Sequence, residues 1–343
     1  MVLIDAIYIN RSGGKVLLEY LIESILDTGS NDFFFLLDSR LESPILQTLR
    51  PNQMTVLDAS EPNRRQFYRD SVASFNSVLC FANCPPPFKI EGCKVYVFFQ
   101  NALLLTTKDT GYKLKAQLSF WLKKKYIQFN SYSNYQWIVQ TNDMKHRLHE
   151  YLSLGGSKIN VIPIFNLKSF EVINVNRFAL QFHFLYVADG VYQKNHKRLL
   201  DAWKHLNTNF NPDMVLHLTI PEEFPKLLVT IEEYKKNGCK IVNHGHCNHE
   251  ELSRLYDSCK YLIFPSLLES FGLPLIEAGS AGCEVVSSDL PYVYDVVKPS
   301  RVFDPYSVES IIEAVVDVVD QNFVGNTEVV VRDQISDLIA LIK

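Results

Sequence analysis

No apolar run in the 343 residues approaches the ~20 needed to cross a bilayer as a helix, which excludes a polytopic membrane protein. Glycine and proline are sparse, at 14 and 15 residues, so the chain is neither collagen-like nor a low-complexity fibre. An excess of one charge is also missing. The 34 basic and 38 acidic residues leave a formal net of -4, and no global basic field points to nucleic acid. The seven cysteines contain no CxxC pair, the nearest two being Cys80 and Cys84. Asp5 interrupts the first apolar run almost at once, so the N-terminus reads as a strand and not as a secretory signal. Reduced thiols in a cytoplasmic setting are the expectation. What is present is a hydrophobic fraction of 47% against 21% charged, enough to offset the ordering entropy of a folded chain. At roughly 150 residues per domain, the length favours two domains.

Short apolar, β-branched or aromatic runs alternate with helical stretches. Strand candidates are Val2–Ile9, Phe33–Leu37, Met54–Leu57, Val78–Phe81, Val95–Phe99 and Trp137–Gln140, with a last strand closed by Pro163. The pattern restarts with Phe182–Ala188, Met214–Thr219, Lys240–Asn243, Tyr261–Phe264 and Glu284–Ser287. Such alternation predicts α/β architecture with parallel sheets covered on both faces. The expected division is 1–165 as an N-terminal Rossmann-like domain, 166–178 as linker, 179–325 as a second Rossmann-like domain, and 326–343 as a C-terminal helix that could cross back. Doubly wound sheets bind ligands beyond the carboxyl ends of their strands, so useful residues are sought in the loops that follow strands.

The richest stretch runs from Tyr261 to Gly282. A strand ends at Pro265, a loop carries Glu269 and Gly272, and Pro274 suits the first residue of a helix that bears Glu277. A carboxylate beside a helix N-terminus suits a ligand with hydroxyls and phosphates. On the residues alone, capping of the helix by Glu269 is an alternative.

The Glu269–Glu277 spacing within FPSLLESFGLPLIEAGSAG resembles the E-x7-E signature of retaining glycosyltransferases of the GT4 family, which have the GT-B fold. His183–Ala188 followed by Gln193–Trp203, then Gly245 with Glu250–Tyr256, and then Ser287–Pro291 match further family segments in order. The resemblance implies two doubly wound Rossmann-like domains facing a central cleft. It places Glu269 on the donor sugar, with the amides of Phe271, Gly272 and Leu273 near sugar and diphosphate. Glu277 would take the ribose hydroxyls, Lys194 would neutralise the departing diphosphate, and Gly245 would lie near the donor. Glu269 and Lys194 are the catalytic candidates. The family often supplies an Arg after the strand before Lys194. Here that place reads Ala188-Asp189-Gly190, which leaves Lys197 or Arg198 as substitutes.

The Asn10–Lys15 loop holds Gly13 and Gly14, which could let backbone approach a phosphate; a plain tight turn is the competing reading. Gln100 and Asn101, after a strand, are candidates for the acceptor cleft. Lys113, Lys115, Lys123, Lys124 and Lys125 fall in a stretch without an acid between Asp109 and Asp143, together with Trp121. A basic amphipathic helix of this kind can meet an anionic membrane surface, and a core-facing helix with solvated lysines is the rival reading. His244, His246, Cys247 and His249 crowd one loop but lack a second ligand pair, and no DxD motif occurs. No metal and no cofactor are expected, the nucleotide sugar being a co-substrate.

The resulting expectation is a retaining hexosyltransferase that uses a UDP- or GDP-sugar and a saccharide acceptor, polyprenyl-diphosphate-linked, in surface-polysaccharide assembly. It would sit in the cytoplasm, peripheral to the inner face of the membrane. A nucleotide-sugar epimerase and a non-catalytic sugar-nucleotide-binding subunit are the alternatives.

Overall fold

The computed structural model describes residues 1–106, 114–152, 158–167, 182–320 and 322–343. The chain divides into an N-terminal unit, Met1–Asn166 with Arg332–Lys343, and a C-terminal unit, Leu167–Val331. Most of the expected linker, from residue 168 to its end at 178, lies outside the described residues.

The N-terminal unit runs β1 (Val2–Ala6), α1 (Ser12–Asp27), β2 (Phe33–Asp38), β3 (Met54–Leu57), α2 (Glu61–Ser71), β4 (Ser77–Cys80), β5 (Lys94–Phe98), α3 (Leu114–Phe129), β6 (Gln136–Val139), α4 (Asn142–Leu152) and β7 (Ile159–Val161). Its seven strands are all parallel, in the order β3-β2-β1-β4-β5-β6-β7. The chain grows outward from β1 in one direction and then reverses from β4, so the switch point lies between β1 and β4. The β1 and β4 residues are buried without exception, as continuous apolar runs in a sheet covered on both faces require.

The C-terminal unit repeats this plan. It contains β8 (His183–Tyr186), α5 (His196–Asn209), β9 (Val215–Leu218), α6 (Pro225–Lys236), β10 (Ile241–Asn243), α7 (His249–Asp257), β11 (Tyr261–Phe264), α8 (Leu273–Ser280), β12 (Glu284–Ser288), α9 (Pro291–Tyr294), β13 (Val297–Lys298), β14 (Arg301–Phe303), α10 (Val308–Val319) and β15 (Glu328–Val329). Its parallel sheet has the order β10-β9-β8-β11-β12-β14, with the switch point between β8 and β11. Helix starts are written locally. Asn248 and Glu251 form a reciprocal capping box on α7, and the Ser307 side chain caps α10.

Two elements differ from expectation. Residues 326–343 are not one helix: Glu328–Val329 pair antiparallel with β13, and only α11 (Ile335–Ile342) is helical. The β-branched run Val329-Val330-Val331 favours extended backbone, which delays the helix. Ile335, Leu338, Ile339 and Ile342 of α11 then join the core of the N-terminal unit with Leu18 and Leu21 of α1. Tyr96 donates to the Leu341 carbonyl at 2.8 Å. The short strands β13, β14 and β15 were not foreseen, because two or three residues carry no readable alternation.

Candidate active site

The C-terminal unit builds its most polar loops at the switch point. Lys194 follows β8 and Glu269 follows β11; the two strands are hydrogen-bonded neighbours, so residues 75 apart in sequence meet. Lys194 Nζ donates to Glu269 Oε1 at 2.6 Å, and both side chains are largely buried, 18% and 12% exposed. The ammonium also lies 5.8 Å from the centre of the Phe264 ring.

The surrounding loops are tied down by side chains that the sequence did not flag. Asn195 adopts the left-handed conformation at the start of α5, with φ 60°, and its amide donates to the Pro265 and Pro305 carbonyls at 3.1 and 2.8 Å. Tyr186, fully buried, donates to the Lys194 carbonyl at 2.7 Å and also contacts Ser266 Oγ at 3.0 Å. These bonds lock the Lys194 loop against the Glu269 loop. An asparagine directly before a helical pattern, a residue type that tolerates the left-handed region, is the signal that could have marked Asn195.

Gly272 stands before α8 with φ 83°, a conformation that L side chains rarely adopt, and a Cβ there would meet Leu275 Cδ1 at 3.0 Å. Helix α8 starts at Leu273, so Pro274 occupies its second position instead of its first. Its N-cap, Gly272, has no side chain with which to cap the helix. Phe271 is buried. Glu277 is 4% exposed, and its Oε2 accepts from the Tyr256 hydroxyl at 2.8 Å. Burial pushes the Glu277 carboxyl up to about 7, the Tyr256 bond opposing the shift.

Of the two substitutes for the missing phosphate cation, only one faces these loops. Lys197 is bound by Asp201 at 2.7 Å and by Tyr234 at 2.9 Å on the outer side of α5. Arg198 donates to Asn195 Oδ1 at 2.9 Å and lies over the Tyr306 ring. Gly190 needs to be glycine for another reason: a Cβ would meet the Phe224 ring at 2.5 Å.

Gly245 is not brought to this cluster. It has φ 74° and follows the edge strand β10, three strand positions from β11. The neighbouring His244 meets other histidines. It stacks on His217, which stacks on His183, with ring nitrogens 3.0 Å apart at both contacts. Among the described residues, no group of His, Cys, Asp and Glu is arranged to hold a metal ion. Burial lowers His217 to about 4, helped by its two histidine neighbours.

His196 is 5% exposed and is likewise lowered to about 4, chiefly by burial. Its Nε2 donates to the Asp189 carbonyl at 2.8 Å. A histidine whose folded pKa lies below its unfolded value stabilises the fold only above the unfolded value. That stability is lost as pH falls from about 6.5 towards 4. Lowering the pH from 7 to 4.5 is therefore expected to reduce stability by about 2–3 kcal/mol through His196. Urea unfolding at the two pH values, with His196→Gln as the flattened control, measures this.

In the N-terminal unit the counterpart loops line a cavity of about 860 Å³. Its wall comes from the loops after β1 and β4, with Arg40 after β2, Glu61 at the start of α2, Asn101 after β5, and Lys123 and Tyr126 of α3. Beneath it, Asp5 of β1 is paired with Arg64 of α2 at 2.7 Å, both 1% exposed. Tyr68 also donates to Asp5, and Arg64 donates to the Cys84 and Pro85 carbonyls at 3.0 and 2.9 Å. Asn101 lines the cavity, whereas Gln100 is a strut that donates to the Phe81 carbonyl at 3.0 Å. Gly13 and Gly14 lie in the first turn of α1, not in a loop before it, and neither has positive φ. Their contribution is bareness: a Cβ at Gly13 would meet nothing within 4 Å.

Of the described side chains of helix α3, Ile127 is buried, but several other apolar ones are not. Leu118, Trp121, Leu122 and Phe129 are each more than half exposed, beside exposed Lys123 and Lys125. Lys124 instead donates to the Thr106 carbonyl at 2.7 Å. Lys113 and the side chain of Lys115 lie outside what the structure describes. All seven cysteines are free. No helix among the described residues is long and apolar enough to cross a membrane.

Residues 173–330 match the family described as "Glycosyl transferases group 1". The match takes in most of the C-terminal unit, which is thus similar to group 1 glycosyltransferase domains. Serotype-specific mannosyltransferase WbdA of Escherichia coli is 28% identical over 123 residues, 35% of this chain and 15% of that protein. O-antigen chain mannosyltransferase B of Escherichia coli is 30% identical over 153 residues, 44% of this chain and 40% of that protein. The matched stretch thus spans less than half the length of either relative. Sucrose-phosphate synthase from Thermosynechococcus elongatus superposes with a TM-score of 0.71 at 16% identity, covering 93% of this chain and 89% of its own. That likeness shows the fold of the chain to be GT-B.

Proposed function

We propose that this protein is a retaining glycosyltransferase that moves a hexose from a nucleoside diphosphate to a saccharide acceptor in surface-polysaccharide assembly. The observation that carries the reading is the Lys194–Glu269 contact at the β8/β11 switch point, in the loops that lead into α8. The bond between the anomeric carbon and the diphosphate oxygen breaks, and a bond to the acceptor oxygen forms on the same face. The acceptor proton passes to the leaving phosphate oxygen. Lys194 spends one N–H on Glu269 and keeps two donors for phosphate, where charge develops. Glu269 accepts from sugar hydroxyls, and Arg198 supplies the second cation in place of the family arginine. Neutralisation of the diphosphate is assigned to these side chains, with no metal required. The names of the two mannosyltransferase relatives make mannose the first hexose to test.

A thermal-shift screen with UDP, GDP and their hexose conjugates tests donor binding, since a ligand at 100 times its Kd stabilises by about 2.7 kcal/mol. A shift with one nucleotide family supports the reading, and none with any would remove it.

Glu277 gives this site a pH signature. If it takes the ribose hydroxyls, it must be ionised to accept both. Nucleotide affinity is then expected to rise almost tenfold per pH unit up to about 7 and to level off above. Calorimetry from pH 5.5 to 8 measures this, and Glu277→Gln is expected to abolish the slope.

The exposed face of α3 supports peripheral binding to an anionic membrane. Co-sedimentation with vesicles containing phosphatidylglycerol is expected for the wild type. It should fall at least tenfold in a Trp121→Ser, Lys125→Glu variant and weaken with added salt.

A further inference from the structure

A carboxylate accepts from two ribose hydroxyls only while it is ionised, and the surroundings of Glu277 oppose that state. It lies one turn into α8, 4% exposed, where burial disfavours the charged form. Helix α8 packs on β11, β12, β13 and β15. Among the described residues these strands offer it no cation. β11 carries no charged residue, and Glu284 of β12 accepts from the Thr327 N–H at 3.3 Å. Lys298 of β13 and Glu328 of β15 are exposed. On α7, His249, Glu250, Glu251 and Arg254 are exposed as well, and Asp257 is a further acid. Burial and one hydrogen bond are the influences that set the Glu277 charge.

That hydrogen bond comes from Tyr256, in the last turn of α7 and fully buried. Its hydroxyl donates to Glu277 Oε2 at 2.8 Å. Burial and the neighbouring carboxylate hold the phenol well above its ordinary range, so it stays a donor at any working pH. Such a bond strengthens as its acceptor gains charge, which favours ionisation against the pull of burial. Tyr256 is also fixed along its backbone. Its carbonyl accepts from Cys283 Sγ at 3.2 Å, and Cys283 lies between α8 and β12. A carboxylate has about four acceptor positions, and Tyr256 takes one, so the others remain for ligand hydroxyls.

We infer that Tyr256 is a positioning residue that acts on the nucleotide through Glu277, keeping a buried carboxylate available to the ribose hydroxyls. The ribose rests on the transfer reading above; the hold of the hydroxyl on the carboxyl does not. Tyr256 itself makes no contact with the ligand. Its effect on binding therefore depends on pH, as a packing effect would not.

Tyr256→Phe tests this, because it removes the hydroxyl and keeps the ring that fills the site. In the ligand-free chain, a carboxyl NMR titration follows Glu277, whose signal is the one lost in Glu277→Gln. The midpoint is expected at about 7 in the wild type and about one pH unit higher in Tyr256→Phe. Calorimetry with GDP-mannose and UDP-mannose reads the consequence, since a doubly esterified diphosphate keeps its charge over this range. Tyr256→Phe is expected to weaken the bound probe about fivefold at pH 7 and by less than about twofold at pH 8.5. Added to Glu277→Gln, it is expected to change affinity by less than about twofold at either pH, because its route is gone. An unmoved midpoint would overturn the inference and leave the donor reading standing. An equal loss at both pH values, or a further loss in the double variant, would mark a merely structural role and overturn it too. If neither probe binds the wild type, the donor reading falls, and the carboxyl titration alone decides what Tyr256 does.

Discussion

Lys194→Ala is expected to lower kcat for sugar transfer by about 10²- to 10³-fold, the usual cost of removing one preorganised donor from a developing oxyanion. The ammonium is anchored by Glu269 at 2.6 Å, and its loop is held by Asn195 and Tyr186, so its position is preorganised. Lys197 is bound on the far side of its helix by Asp201 and Tyr234. The fall should lie in kcat more than in KM, because the charge on the diphosphate grows only as the glycosidic bond breaks. Glu269→Ala should act on both, since it loses a sugar contact and frees the lysine from its partner. Steady-state kinetics with circular dichroism on each variant separates these effects from unfolding. A Lys194→Ala variant within twofold of wild type would remove Lys194 from the reaction.

The largest effect on stability is expected at Arg64. Arg64→Ala leaves Asp5 without its cation and the Cys84 and Pro85 carbonyls without their donor in a site that is 1% exposed. Breaking a buried pair from one side costs about 3–5 kcal/mol. Asp5→Asn strands the guanidinium instead and should cost a similar amount. The double variant Asp5→Leu, Arg64→Met should recover part of the loss, because the pair is coupled and its removal leaves no uncompensated charge. Denaturant unfolding of the three variants measures this. Equal, additive losses would mean that the ion pair is incidental to the fold.

What was legible in the sequence depended on whether the information was local. The parallel α/β plan could be read because each strand is a continuous apolar run bounded by turn residues. Glu269, Gly272 and Glu277 could be read because one strand–loop–helix segment carries all three. The meeting of Lys194 with Glu269 was not legible as a distance, since it follows from β8 and β11 being neighbours. Arg64 was hidden in a polar helix. Its partner did leave a trace: Asp5 is an acid inside an otherwise apolar strand, and a buried carboxylate demands a cation. The surroundings of the histidine loop were not legible along the chain, because His244 finds its neighbours across the sheet at His217 and His183. The cavity wall is spread over loops and helices between Tyr8 and Ile127, which no motif unites.

The most direct test of the account is a balanced transfer assay. The purified chain is incubated with UDP- or GDP-mannose and a saccharide acceptor, and nucleoside diphosphate and extended saccharide are both quantified. The account predicts one diphosphate released per sugar added, with an anomeric configuration in the product matching that of the donor. It also predicts that Lys194→Ala loses both together. An epimerised nucleotide sugar, or no diphosphate release with any pairing of donor and acceptor, would contradict it.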